Sequence, residues 1–213
     1  NGSGSLLWNF TEPIDVFYEI RLGNFSSKGI IAFVDTGQDV LYVLNASGNQ
    51  SWNASLVDAG IGYSLAVGDL DNDGLDDIAA SKNTSDRQIL MFNNSGSNLW
   101  NYTAGNAIGS AYADGALEIA DIDGDGKKDV IAASVDNYGY ALYANRTNIS
   151  GIISTGLVYD IEVFAVGNGY NNTIAVIDSE GSKRGSLLLL NGSTGSLMCN
   201  TSDLGEAYSL AVG

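Results

Sequence analysis

Apolar residues in this chain come in short runs separated by polar, glycine-rich turns. Ile20-Arg-Leu-Gly23, Leu41-Tyr-Val-Leu44, Tyr63-Ser-Leu-Ala-Val67, Ile78-Ala-Ala80, Ile89-Leu-Met-Phe92, Leu117-Glu-Ile-Ala120, Val130-Ile-Ala-Ala133 and Leu187-Leu-Leu-Leu190 are each the length of a strand. No segment keeps an i, i+3, i+4, i+7 apolar spacing over three turns, so helices are not expected. The pattern predicts an all-β protein.

The runs recur. The small residue closing one strand of each set appears at Gly23, Gly68, Ala120, Gly167 and Gly213, at intervals of 45 to 52 residues. A second marker keeps the same period: a strand ending in Asn, a turn, then Trp-Asn. It reads Leu41 to Asn45 before Trp52-Asn53, and Ile89 to Asn93 before Trp100-Asn101. It loosens to Leu187 to Asn191 before Met198-Cys199-Asn200, and in Ala141 to Asn145 the Trp is missing. Trp8-Asn9 opens the series. Four short strands per repeat, at this period, define a β-propeller blade. We expect a propeller-like array of four-stranded antiparallel blades, about four and a half units, with approximate bounds 12–56, 57–104, 105–155 and 156–202 and partial units at 1–11 and 203–213. No linker or composition shift interrupts residues 1–213, so they read as one domain. The chain starts inside a Trp strand and stops where the sequence Tyr208-Ser-Leu-Ala-Val-Gly213 copies Tyr63 to Gly68. It therefore reads as a segment of a longer chain, or as one in which the terminal strands share a blade.

Between the first two strands of two units lies a D-x-D-x-D-G-x-x-D loop: Asp69, Asp71, Asp73, Gly74 and Asp77, then Asp121, Asp123, Asp125, Gly126 and Asp129. Carboxylates at alternate positions converge if the chain turns tightly, and glycine at position six permits a positive φ. Dense hard oxygen donors suit Ca²⁺. We assign Asp69, Asp71, Asp73 and Asp77, with the Leu75 carbonyl, to one ion. Asp121, Asp123, Asp125 and Asp129, with the Lys127 carbonyl, take a second. An EF-hand would need a Glu at position twelve and flanking helices; Ala80 and Ala132 stand there instead.

Over Tyr63–Ser81 and Leu117–Ser134 the loop and its strands resemble the FG-GAP repeat of integrin α-subunit propellers and of related bacterial and archaeal surface proteins. That resemblance implies calcium-binding propeller blades. It fails near Gly23 and Gly167, where Asn24-Phe-Ser-Ser-Lys28 and Asn168-Gly-Tyr-Asn-Asn172 replace the aspartates, so no ion is assigned there. The L-Y-x-L-N-x-x-G-x-x-x-W element is similar to the Trp-docking repeat of quinoprotein-type (PQQ-like) propellers. It implies that Trp8, Trp52 and Trp100 lock one blade to the next; a surface row of sugar-stacking aromatics is the alternative.

Charge and composition narrow the function. The net charge is −16, from 25 acidic and 9 basic residues. This excludes nucleic acid and anionic membrane surfaces as partners, and two Ca²⁺ would bring the formal charge only to −12. No apolar run reaches the length of a membrane-spanning helix. There is no His, and Cys199 is alone, so it cannot form an internal disulfide and is expected to pack as a small apolar residue. With no evident acid, base or nucleophile outside the metal loops, a catalytic role is not expected.

Asparagine marks the compartment. N-x-[S/T] sequons fall at Asn1, Asn9, Asn24, Asn45, Asn49, Asn53, Asn83, Asn93, Asn101, Asn145, Asn148, Asn171, Asn191 and Asn200, which is 14 of 21 asparagines. Asn-Gly-Ser turns account for some of these by turn chemistry. The density favours N-linked glycans on an exported protein and resembles archaeal surface glycoproteins. The reading is an extracellular, calcium-stabilised repeat protein of the cell surface with a binding, adhesion or structural role. Its partners would be protein or glycan ligands, or other copies of itself in a filament or sheath. A non-catalytic propeller of a larger secreted carbohydrate-active or quinoprotein-like enzyme is a further alternative.

Overall fold

The computed structural model describes residues 5–10, 17–26, 29–35, 38–56, 64–82, 87–106, 108, 116–134, 136–144, 148–153, 157–164, 173–180, 184–201 and 204–205. The described residues form four antiparallel sheets of four strands, each a meander in chain order. The first sheet holds β1 (Phe17–Phe25), β2 (Gly29–Asp35), β3 (Val40–Asn45) and β4 (Gln50–Ser55). The second holds β5 (Leu65–Gly68), β6 (Asp77–Ser81), β7 (Gln88–Phe92) and β8 (Asn98–Thr103). The third holds β9 (Leu117–Ala120), β10 (Asp129–Ala133), β11 (Tyr138–Leu142) and β12 (Asn148–Ile153). The fourth holds β13 (Leu157–Phe164), β14 (Thr173–Glu180), β15 (Arg184–Asn191) and β16 (Leu197–Thr201). The chain is all-β and propeller-like, as the repeat period predicts.

The first strands of the sheets, β1, β5, β9 and β13, lie side by side in chain order, while the fourth strands are outermost in each sheet. Small residues are needed on the inner row. A Cβ on Gly68 would come within 2.6 Å of the Ile119 side chain on the neighbouring sheet. That contact explains one of the recurrent small positions. The middle strands carry the core: β6 and β10 are buried along their whole length, and their Ile-Ala-Ala runs pack between sheets. One apolar cluster joins the first and second sheets through Val34, Leu41, Leu65 and Ile78. Another joins the second, third and fourth through Met91, Ile119, Ile131, Ile161 and Leu190.

The sheets are also pinned at their rims. Trp8 lies over the β3–β4 turn, where its indole N–H donates to the Ala46 carbonyl at 2.9 Å. Trp52, on β4, repeats this on the β7–β8 turn of the next sheet and donates to the Asn94 carbonyl at 3.1 Å. A Cβ on Gly48 or Gly96 would stand 2.5 or 2.8 Å from the facing indole, so these turns accept only glycine under the ring. All three tryptophans are half-buried. Trp8 and Trp52 dock between units, as the resemblance to the Trp-docking repeat implies. At the place of Gly48 and Gly96 the third unit's sequence has Arg146, which lies outside the described residues. Register puts Cys199 opposite Leu189 on β15, where Trp52 stands opposite Val43 and Trp100 opposite Met91. Cys199 is exposed, which corrects the expectation that it packs in the core: it occupies the docking position on an outer strand whose described residues are all exposed.

Candidate metal centres

Each aspartate loop is the hairpin between the first two strands of a sheet. Gly68 pairs with Asp77 at the mouth of the first loop and Ala120 with Asp129 at the mouth of the second. Position six is left-handed in both, with φ +88° at Gly74 and +87° at Gly126. A Cβ there would meet nothing within 4 Å, so the requirement is backbone conformation and not space. Position four is left-handed as well, at Asn72 (φ 63°) and Gly124 (φ 80°). These residue types tolerate that region, and their shared place was a readable signal that pattern matching on the aspartates alone passes over.

The turn is built by its own carboxylates. Asp69 accepts from the N–H groups of Asp73 (3.0 Å) and Gly74 (2.9 Å). Asp121 accepts from Gly124 (2.7 Å) and Gly126 (3.0 Å). Asp77 is fully buried; its Oδ2 takes the N–H of Leu70 (2.8 Å) and Asp71 (3.1 Å), and its Oδ1 that of Asn94 (2.9 Å). Asp129 does the same with Ile122 (3.2 Å) and Ala144 (2.8 Å).

One carboxylate oxygen from each of Asp69, Asp71 and Asp77 lies within 4.8 Å of the others, and Asp121, Asp123 and Asp129 form a second such group. Asp73 and Asp125 stand outside these triplets. Their Oδ1 atoms accept from Leu75 N–H and Lys127 N–H, both at 2.8 Å. Leu75 and Lys127 follow the loop glycines directly, and their described hydrogen bonds use the N–H. Burial pushes the Asp77 carboxyl up to about 6, against the lowering by backbone donors such as Leu70 N–H and with a further rise from the charge of Asp71. Burial also raises Asp129 to about 6, with Asp123 and Asp125 adding to the rise and the Ala144 and Ile122 N–H groups opposing it. Convergent carboxylates, one of each group buried and raised by that burial, are a donor set that a divalent cation neutralises, and all-oxygen donors fit Ca²⁺ or Mg²⁺ over thiophilic metals.

Two residues that sequence inspection did not single out tie the first loop to its surroundings. Asn94 donates from Nδ2 to Asp73 Oδ2 at 2.7 Å. Asp76 exchanges two bonds with the first sheet: its N–H donates to the Asn24 carbonyl (3.0 Å), and its Oδ2 accepts from Asn24 N–H (2.7 Å). The end of β1 at Asn24 is thus held by the aspartate loop of the next sheet.

A cavity of about 270 Å³ lies between the two loops, bordered by Asp71, Asn72, Lys127 and Trp100. A larger one of about 420 Å³ lies against the inner strands, among Arg21, Glu118, Asp160 and Glu162. Burial there raises Glu118 to about 7, with the neighbouring charge of Glu162 adding to the rise.

Among the sequon residues, Asn9, Asn24, Asn49, Asn53, Asn101 and Asn200 are exposed, and Asn45, Asn93 and Asn191 are half-buried. Asn1, Asn83, Asn145 and Asn171 lie outside the described residues, as does the side chain of Asn148. Asn45, Asn93 and Asn191 build turns. Asn45 Oδ1 accepts from Ser47 and Asn49 N–H, Asn93 Oδ1 from Ser95 and Ser97 N–H, and Asn191 Oδ1 from Thr194 N–H. Two hydroxyls join the network: Ser95 Oγ, in the sequon, on Asn93, and Thr194 Oγ1, one residue past the sequon, on Asn191. Turn chemistry alone therefore gives these positions a reason to be asparagine, and at Asn93 a reason for the serine two residues on.

The FG-GAP repeat family matches residues 61–100, which contain the first loop. No curated protein matches in sequence. Among solved structures, BBS1N in complex with ARL6DN, soaked with lead, superposes with a TM-score of 0.64 at 13% identity, over 97% of this chain and 62% of that one. The Dos1 propeller gives 0.57 at 11% identity, over 87% and 46%. The Pan2 WD40 domain of Neurospora crassa gives 0.53 at 12% identity, over 85% and 51%. The chain thus spans less than two thirds of the length of these structures. They establish the propeller-like fold. No helix among the described residues is long and apolar enough to cross a membrane.

Proposed function

We propose that this chain forms calcium-stabilised propeller blades with a binding or structural role at the cell surface. The observation that carries the reading is the convergence of Asp69, Asp71 and Asp77, and of Asp121, Asp123 and Asp129, on one point per loop. Asp73, Asp125 and the Leu75 and Lys127 carbonyls stand next in each loop to complete an oxygen shell. A bound Ca²⁺ supplies positive charge to each group of carboxylates. The chain's own residues do the rest: the left-handed positions close the loops, and Asp77 and Asp129 tie them to the following turns. The metal on this reading is structural. Extracellular modules bind calcium at about 10⁻⁴ to 10⁻³ M, and four carboxylates per loop tighten that.

FG-GAP propeller repeats point to a binding or structural domain, and protein partners are the first class to test, since BBS1N is seen in complex with ARL6DN. Glycan ligands and self-association into a filament belong to the same non-catalytic reading. Export and N-glycosylation rest on sequon density and on the exposed asparagines beside each tryptophan, Asn9, Asn53 and Asn101. Isothermal titration of the chelator-treated chain tests the metal: two calcium ions per chain are expected, and no heat at millimolar calcium would end the proposal. Intact-mass measurement of the protein from its native source tests the glycans.

A further inference from the structure

The two aspartate loops differ in one side chain that crosses to a neighbouring strand turn. In the first loop, Asp73 is held at both ends: Oδ1 by Leu75 N–H, and Oδ2 by Asn94 Nδ2 at 2.7 Å. In the second, Asp125 has the equivalent backbone bond to Lys127, but the residue at the Asn94 position is Ala144, identified by its N–H on Asp129 Oδ1. In the first sheet, which has no aspartate loop, that place is Ala46. Asparagine therefore stands at this turn position only in the second sheet among these three.

Asn94 is also the residue on which Trp52 docks. Its Nδ2 bonds Asp73, its N–H bonds Asp77 Oδ1 at 2.9 Å, and its carbonyl accepts the Trp52 indole N–H at 3.1 Å. Ser26 Oγ, from the first sheet, reaches the same carbonyl at 2.9 Å. Asn94 is buried, 7% exposed, so these bonds form without competition from bulk water. Two assigned metal ligands thus hold the side chain and N–H of a residue whose carbonyl holds the first sheet.

We propose that Asn94 positions Asp73 for metal binding and ties calcium loading of the first loop to the docking of Trp52 across the junction of the first two sheets. The inference rests on the calcium reading above. A carboxylate already oriented by an outer partner loses less freedom when it ligates, and partners of this kind are worth tenfold to a hundredfold in metal affinity. The first loop is accordingly the tighter of the two. An ion that draws Asp73 and Asp77 inward would move Asn94 with them, and the change would reach Trp52 through a single residue.

The experiment uses the full chain labelled with 5-fluorotryptophan, whose three ¹⁹F resonances are assigned by single Trp→Phe variants, together with calcium titration calorimetry. In the parent chain, the Trp52 resonance is expected to shift in step with the tighter of two binding events. Asn94→Ala removes only the Asp73 arm and keeps the backbone bonds to Asp77 and Trp52; it should weaken that event by about tenfold to a hundredfold, leave the other unchanged, and shrink the calcium-dependent Trp52 shift. Alanine already occupies the equivalent turns at Ala46 and Ala144, so this variant keeps the turn. Ala144→Asn should tighten the second event. Unchanged affinities in Asn94→Ala, a Trp52 shift undiminished by it, or no tightening in Ala144→Asn would overturn the proposal. Two ions bound with a silent Trp52 would defeat the coupling and leave the calcium reading intact; no ions bound would defeat both.

Discussion

The two aspartate loops share spacing, left-handed positions and carboxylate geometry, yet they are wired into the molecule differently. The first loop is fastened on both sides. Asp76 exchanges backbone-linked bonds with Asn24 of the preceding sheet, and Asn94 joins Asp73 to the docked Trp52. The second loop has Lys128 where the first has Asp76, and Ala144 where it has Asn94; its described link onward to the fourth sheet is Ser193 Oγ to the Asp123 carbonyl at 3.2 Å. A local motif of nine residues therefore has two structural values. The difference lies in single residues outside the motif, which decide whether the loop organises only itself or also the junction beside it.

The strongest way to break this comparison is at the buried carboxylates. Asp77→Ala strands the N–H groups of Leu70, Asp71 and Asn94, and each buried unsatisfied donor costs about 1–3 kcal/mol. Asp129→Ala strands two, from Ile122 and Ala144. Thermal unfolding should show both variants destabilised and Asp77→Ala the worse; equal midpoints would make the two loops equivalent. Next come the tryptophans. Trp52→Ala removes packing and a docked indole bond, and such truncations cost about 3–5 kcal/mol. Trp100→Ala should cost less, because no indole bond is described for it and it borders a cavity. Denaturant midpoints for the pair decide this.

Calcium removal is a smaller effect at ordinary concentrations. With the ion a hundredfold above its Kd, each site contributes about 2.7 kcal/mol, so EGTA should lower the melting temperature, Asp71→Ala should abolish more of the calcium effect than Asp123→Ala, and equal losses would contradict the asymmetry. The same loops set a pH window. Asp77 and Asp129 are raised to about 6 without metal, so protons compete with calcium increasingly as pH falls through 6, and affinity measured at pH 5 should be well below that at pH 7.5.

The smallest expected effect lies away from both loops. Glu118 is raised to about 7. A carboxyl whose folded pKa exceeds its unfolded value contributes most below the unfolded pKa, and that contribution is lost as pH rises through 7. Glu118→Gln should therefore stabilise the chain at pH 8 relative to pH 5, by about 1 kcal/mol after allowance for solvent screening. Melting curves at the two pH values would show it.

The parts of this molecule that sequence reveals are those in which a residue type answers to its own backbone or its own ladder. Glycine at position six, the Ile-Ala-Ala strands and the strand–turn–Trp period all belong to that kind, and they led to the sheets and to both loops. Asn94 was hidden because it follows Asn93 in a turn that reads as a glycosylation signal, and nothing local shows that its side chain reaches back 21 residues to Asp73. Asp76 was hidden because position eight is outside the alternating ligand pattern; its partner lies 52 residues earlier, on another sheet. Cys199 misled for a related reason. Its apolar character suggested burial, but strand register sets it on an outer strand at the docking position, and register depends on pairing that composition does not carry.

The asparagine turns lead somewhere else. Besides their backbone bonds, Asn45, Asn93 and Asn191 hold their turns through Oδ1 in every described side-chain bond, and no described bond uses Nδ2. The turn thus reads a carbonyl-type acceptor at a fixed reach and is blind to what the nitrogen carries. Aspartate, which offers the same oxygen at the same distance, should preserve the turn, so if sugar is attached there, amidase treatment that converts the asparagine to aspartate would remove it without unfolding the turn. Glutamine, the usual conservative replacement for blocking a sequon, places its oxygen one methylene too far and would disturb the turn for reasons unrelated to sugar.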